Sequence, residues 1–142
     1  MSEYRCVQRE YSLYFTLPAQ LETVDRVCKQ VEAMLKQKGL EQDIFDIQLL
    51  IREVLNNCII HGCGLDPGKD VYMEFSVGRD SISMQAEDPG EGFDWKETLN
   101  SCLPDDTCIN GRGLDIVCLY ADSVEFNQKG NRVQVKKTLR DN

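Results

Sequence analysis

The sequence predicts an α+β two-layer sandwich, a sheet with helices packed on one face. Three observations point there. Two pairs of segments alternate apolar and polar residues with period two, each pair joined by a short turn. Two segments with helical spacing stand together ahead of the first such pair. The order of elements is strand, helix, helix, hairpin, long loop, helix, hairpin. A doubly wound nucleotide fold would instead alternate strand and helix one for one.

The first strand lies in EYSLYFTLP, where Tyr11, Leu13, Phe15 and Leu17 oppose Ser12, Tyr14 and Thr16. That alternation describes a half-buried strand. Leu21, Val24, Val27, Cys28, Val31, Met34 and Leu35 then recur at helical spacing, and Gly39 stops the run. Asp43 stands where an N-cap would open a second helix from Ile44 to about His61, ended by GCG. VYMEFSV (71–77) and SISMQAE (81–87) flank Gly78-Arg79-Asp80 and form a hairpin. Residues 88–113 hold most of the turn formers, and LDIVCLY (114–120) is a short apolar helix. SVEFN and NRVQVKKTL close the chain as a second hairpin, turning at Lys129-Gly130.

The chain of 142 residues reads as one domain over 1–142, long enough to bury a core, with 42% hydrophobic and 28% charged residues. No apolar stretch is long enough to span a bilayer, and MSEYRCVQRE has no apolar signal core. A cytoplasmic protein without a membrane anchor is the expectation. The net charge of −8 argues against nucleic acid as the main ligand, because phosphate contacts need clustered Lys and Arg. Seven scattered cysteines without a C-x-x-C pair fit reduced thiols. Cys58, His61 and Cys63 match no zinc spacing, and no fourth ligand is evident.

The stretch EVLNNCIIHGCG, residues 53–64, sets polar groups in an apolar helix. At about 100° per residue, Ile44, Ile47, Ile51, Leu55 and Cys58 make the core face, and Gln48, Arg52 and Asn56 a water face. Glu53, Asn57 and His61 fall elsewhere, bracketed by Leu49, Leu50 and Ile60. The stripe is either a set of incidental polar residues or a partly buried pocket wall. In a pocket, a carboxylate takes or orients a proton and an amide oxygen binds a hard cation such as Mg²⁺. DPGEGFD (88–94) follows a strand and brings Asp88, Gly90 and Gly92; NGRGLDIV (110–117) sets Gly111 and Gly113 just before a helix. Each loop alone is a common turn or cap, although backbone N–H groups at a helix N-terminus also bind phosphate. Residues 99–112 between them have little apolar pattern and the length of a lid.

Taken in order, E-x-x-x-N on a helix, D-x-G-x-G after a strand and G-x-G-L opening a helix resemble the N, G1 and G2 boxes of the GHKL ATPases. EVLNNCIIHG, DPGEGFD and GRGLDIV look most like the anti-sigma-factor serine kinases, the stand-alone branch of that superfamily, with similarity from about Tyr11 to Leu139. The resemblance implies a Bergerat fold: a mixed, mostly antiparallel sheet, about three helices on one face and an ATP lid loop. It implies ATP and Mg²⁺ as ligands. Asp88 would accept from the adenine amino group, Asn57 would ligate Mg²⁺, and Gly90, Gly92, Gly111, Gly113 and Leu114 would belong to loops wrapping the nucleotide. Arg112 would offset phosphate charge, and Glu53 would be the general base toward a substrate serine. A sigma factor and a small serine-bearing antagonist protein are the implied partners, and a homodimer the implied assembly. The free chain ends fit the stand-alone branch and leave no room for a sensor domain. Two positions depart from the family: Asn131 follows Gly130 where a threonine often helps the adenine end, and Asp115 adds a carboxylate after the second glycine loop. The alternative is an ATP-responsive module that sequesters a regulator without transferring phosphate.

Overall fold

A computed structural model describes residues 3–91, 117 and 119–140. The first expected strand, the strands of both expected hairpins and the first two expected helices are there. Strand β1 spans Arg5–Gln8, β2 Ser12–Pro18, β3 Asp70–Val77, β4 Ser81–Glu87, β5 Ser123–Phe126 and β6 Arg132–Thr138. Helix α1 spans Glu22–Gln37 and α2 Ile44–Asn57. The four-residue β1 has no clear alternation in sequence; it is an edge strand recruited by pairing with β2, Cys6 opposite Phe15.

The six strands form one sheet in the order β1-β2-β3-β4-β6-β5, and every pairing is antiparallel. This corrects the mixed sheet expected from the sequence. A single helix between two strands returns the chain in a parallel sense, but here two helices lie between β2 and β3. Gln48 of α2 donates to the Cys28 carbonyl of α1 at 3.3 Å, and Arg52 pairs with Asp25 at 2.8 Å. Numbers rise along one helix as they fall along the other, so α1 and α2 run antiparallel. The pair carries the chain out and back, and β3 enters antiparallel to β2.

One face of the sheet packs on the helices. Leu13, Phe15 and Leu17 of β2, Val71, Met73 and Phe75 of β3, Ile82, Met84 and Ala86 of β4, and Val133 and Val135 of β6 are buried with Val24, Val27, Val31 and Leu35 of α1. From α2 come Ile47, Leu50, Ile51, Val54 and Leu55. The opposite sheet face carries Tyr14, Tyr72, Glu74 and Gln85 toward solvent, as period-two alternation requires. Helix α1 ends as its sequence suggests. Gly39 takes φ +73°, its N–H donates to the Lys36 carbonyl, and the Leu40 N–H reaches back to Leu35. Those paired bonds are a Schellman stop. Of the third expected helix, only Val117, Leu119 and Tyr120 are described; they are helical, and Val117 is buried in the core. The lid expected at 99–112 lies outside the described residues.

Asp43 does not cap α2 through its side chain. Its carboxylate is buried, 1% exposed, because the C-terminal segment crosses over it. The Arg140 backbone N–H donates to Oδ2 at 3.3 Å, and the Arg140 guanidinium lies 3.7 Å from Oδ1 while also bonding Asp46 at 2.8 Å. Lys137 adds a second cation 3.8 Å from Asp46. Arg140→Ala therefore leaves a buried carboxylate with less compensation. The half-exposed guanidinium limits the loss to about 1–2 kcal/mol. Urea unfolding would register it as a lower midpoint at unchanged slope; an unaltered midpoint would mean that solvent already compensates Asp43.

Candidate functional site

The end of α2 departs from an ordinary helix. After Asn57 the chain opens into a wider turn over Cys58–Gly62, in which the Cys63 N–H donates to the Cys58 carbonyl five residues back at 2.9 Å. A single turn of this π kind advances less per residue than an α turn and is common at functional sites. Gly64 and Leu65 then adopt φ +61° and stop the helix. The expected helix to His61 is thus α-helical only to Asn57. The polar stripe breaks at the same place: Glu53 and Asn57 are half-buried on the helix, whereas His61 is exposed.

That wide turn presses on Asp88, the first residue after the central strand β4. Gly62 and Asp88 pack so closely that a Cβ on Gly62 would overlap the Asp88 carboxyl group. A Cβ on Gly90 would overlap the Gly62 carbonyl oxygen. Only glycine permits this three-way contact. The Asp88 carboxylate, 7% exposed, accepts from the Gly90 N–H at 2.8 Å and from the Cys58 thiol below it. Burial pushes its pKa above the ordinary carboxylate value; the Gly90 and Cys58 hydrogen bonds oppose that shift, and Glu87 adds to it. Burial, followed by the Asp88 charge, holds the Cys58 thiol far above the usual range, so Cys58 is a protonated donor and not a nucleophile. The Asp88 backbone is tied as well. Its N–H donates to the Asn131 carbonyl at 3.0 Å, and the Asn131 side-chain amide donates to the Asp88 carbonyl at 2.8 Å.

Of the residues singled out in the sequence, the structure brings Asp88 and Gly90 against the C-terminal end of α2, the helix that carries Glu53 and Asn57. Gly92, Gly111, Arg112, Gly113 and Leu114 lie outside the described residues. Cys58 and Gly62 carry no sign of this contact in the sequence beyond their place inside the quoted EVLNNCIIHG motif. Asn127 stands in the sequence only as the last residue of the SVEFN strand segment. Among the described residues, no three His, Cys, Asp or Glu side chains converge as a metal cage. Asn57 instead offers a single half-buried amide oxygen, which alone would hold only an ion that keeps most of its waters or phosphate ligands.

Comparison with known proteins bears on the same residues. The profile of the histidine kinase-like ATPase domain matches residues 17–137. The anti-sigma F factor of Clostridium perfringens, in three strains, is 30% identical over 105 residues, covering 69% of this chain and 74% of the relative. The anti-sigma F factor of Oceanobacillus iheyensis is 29% identical over 141 residues, 94% of each chain. No described helix is long and apolar enough to cross a membrane. A buried aspartate clamped by two glycines at the end of a helix pair, inside a match that spans most of the sequence, places the chain in the histidine kinase-like (GHKL) ATPase domain family, in its anti-sigma-factor kinase branch.

Proposed function

We propose that the chain is a cytoplasmic, single-domain, ATP-dependent serine-protein kinase that also holds a sigma factor, and that it phosphorylates a serine on a small antagonist protein as a homodimer. The observation that carries this reading is the clamp on Asp88. A desolvated carboxylate, fixed on its inner side by Gly90, Cys58 and Gly62, keeps unused lone pairs for one well-placed donor. The exocyclic amino group of adenine is such a donor. ATP is the nucleotide that the domain family uses.

The other roles follow from chemistry along α2. Asn57 contributes an amide oxygen to Mg²⁺, which takes oxygen ligands and, when bound, neutralises charge on the phosphoryl oxygens. Glu53, one turn earlier, takes the proton of the serine hydroxyl as that oxygen bonds to the γ-phosphorus and ADP departs. Gly92, Gly111, Arg112, Gly113 and Leu114 wrap and compensate the phosphates.

Calorimetric titration with ADP tests the core of this reading. Asp88→Asn should weaken binding by about tenfold to a hundredfold, the value of one charge-assisted hydrogen bond. A wild-type protein that takes up neither ADP nor ATP would end the kinase reading.

The dependence on pH has a definite sign. Binding uses ionised Asp88, so it lowers the Asp88 pKa from its raised value in the free protein. Affinity is then complete above the raised pKa and declines as pH falls through it, earlier on acidification than for an ordinary aspartate near about 3.9. In Asp88→Asn this step should vanish, leaving only the titration of the nucleotide's own phosphates. Parallel pH profiles for the two proteins would assign the step to another group.

A further inference from the structure

The turn between β5 and β6 is built around one side chain. Asn127 Oδ1 accepts three backbone N–H groups, from Gly130 at 2.8 Å, Asn131 at 3.0 Å and Arg132 at 3.2 Å. A backbone N–H can only donate, so this atom must be the amide oxygen, and the orientation of the Asn127 amide is settled by its partners. Its nitrogen therefore faces Asn131, 2.7 Å from Asn131 Oδ1. With its oxygen occupied, Asn131 can turn only its nitrogen to Asp88, and the Asp88 carbonyl, a pure acceptor, receives it at 2.8 Å. Three backbone donors on one loop thus dictate, through two amides, the polarity of a contact on another loop.

We infer that Asn127 and Asn131 are positioning residues for base recognition: a relay of amides that fixes the direction in which the Asp88 carboxylate points. The inference rests on the reading of Asp88 as the adenine acceptor. The Asp88 backbone is gripped on both sides by Asn131, through its own N–H and its carbonyl. Pro89 follows, so the peptide after Asp88 has no N–H of its own. Rotation about the Asp88 backbone would swing the carboxylate off its line, and the Asn131 amide opposes that rotation. Both polar ends of the Asn131 side chain are engaged in this task. The residue that stands in place of the family's threonine therefore acts through Asp88.

Asn127→Asp separates the relay from the turn. The new carboxylate still accepts the three backbone N–H groups, so the hairpin persists, but it cannot donate to Asn131. The Asn131 amide must flip to donate instead, which sets its oxygen against the Asp88 carbonyl. The measurement is calorimetric affinity for ADP and for purine riboside 5′-diphosphate, which lacks the 6-amino group. The ratio of the two affinities reports the adenine amino contact alone. Wild type should favour ADP, and Asn127→Asp should shrink that preference by about tenfold, the worth of one misdirected hydrogen bond. Asn131→Ala should shrink it similarly and serves if the first variant fails to fold. An unchanged ratio, or equal losses for both ligands, would show that the amides only support the hairpin and would overturn the inference. A wild-type protein that binds neither diphosphate would overturn the nucleotide reading and the inference with it. Wild type that binds both equally would remove Asp88 as the acceptor.

Discussion

Gly62→Ala is expected to lower ADP affinity by about two powers of ten while leaving a folded protein. The added methyl occupies the space of the Asp88 carboxyl group, which must move. Movement breaks its bonds with the Gly90 N–H and the Cys58 thiol and takes it off the line of the incoming amino group. A displaced charge-assisted hydrogen bond costs roughly 3 kcal/mol, which is that factor in binding. Gly39→Ala supplies the contrast. It sits at φ +73° with open space around its Cβ position, so it should cost about 1 kcal/mol of stability through backbone strain and nothing in affinity. Titration calorimetry paired with thermal unfolding reads both. If Gly62→Ala binds ADP like wild type, the close contact with Asp88 has no bearing on the ligand.

The second large effect separates transfer from binding. Glu53→Gln keeps the size of a half-buried side chain and removes its charge. Nucleotide affinity should persist, while phosphorylation of a serine on a co-purifying partner should slow by roughly 10²–10⁴, the range for loss of a general base. Asn57→Ala should impair Mg²⁺-dependent binding and transfer together. Rates are compared at saturating ATP with radiolabelled phosphate. Full transfer by Glu53→Gln would show that another group takes the serine proton, whereas absence of transfer by the wild type would favour the sequestering module, in which ATP is a conformational ligand.

Much of the fold could be read from residue order because period-two alternation leaves little freedom. Val71, Met73, Phe75 and Val77 can all be buried only on one face of a strand, and they are. The turn at Lys129-Gly130 was equally plain, and Gly130 takes φ +84°. Relations between distant segments were not legible. Asp43 looks like a cap by local rules, yet a residue 97 positions away takes its carboxylate. Strand β1 is too short to alternate, and its pairing with β2 defines it. Strand sense depended on α1 and α2 running antiparallel, a property of their packing and not of either helix.

The site divides in the same way. Glu53, Asn57, Asp88 and Gly90 announce themselves by spacing, since their chemistry depends on local geometry. Gly62 and Asn127 act through contacts with residues 26 and four positions away, across a loop or within a turn. A helical wheel also kept His61 with Glu53 and Asn57, because it assumes one angular step per residue; the wide turn changes that step after Asn57.

That wide turn also limits how the chain can change length. A π turn holds one more residue than an α turn over the same bond ladder. Removing one residue between Cys58 and Gly62 would let the Cys63 N–H bond a carbonyl four residues back, so the helix closes regularly with Gly62 still against Asp88. Removing two, or adding one, leaves no such closure and turns a residue with a side chain toward Asp88, where no Cβ fits, even though no functional residue has been altered. The exposed stretch at residues 64–69, after the helix has ended, carries no such count and can vary in length freely. Insertions and deletions in this part of the chain are therefore a matter of counting residues as much as of choosing them.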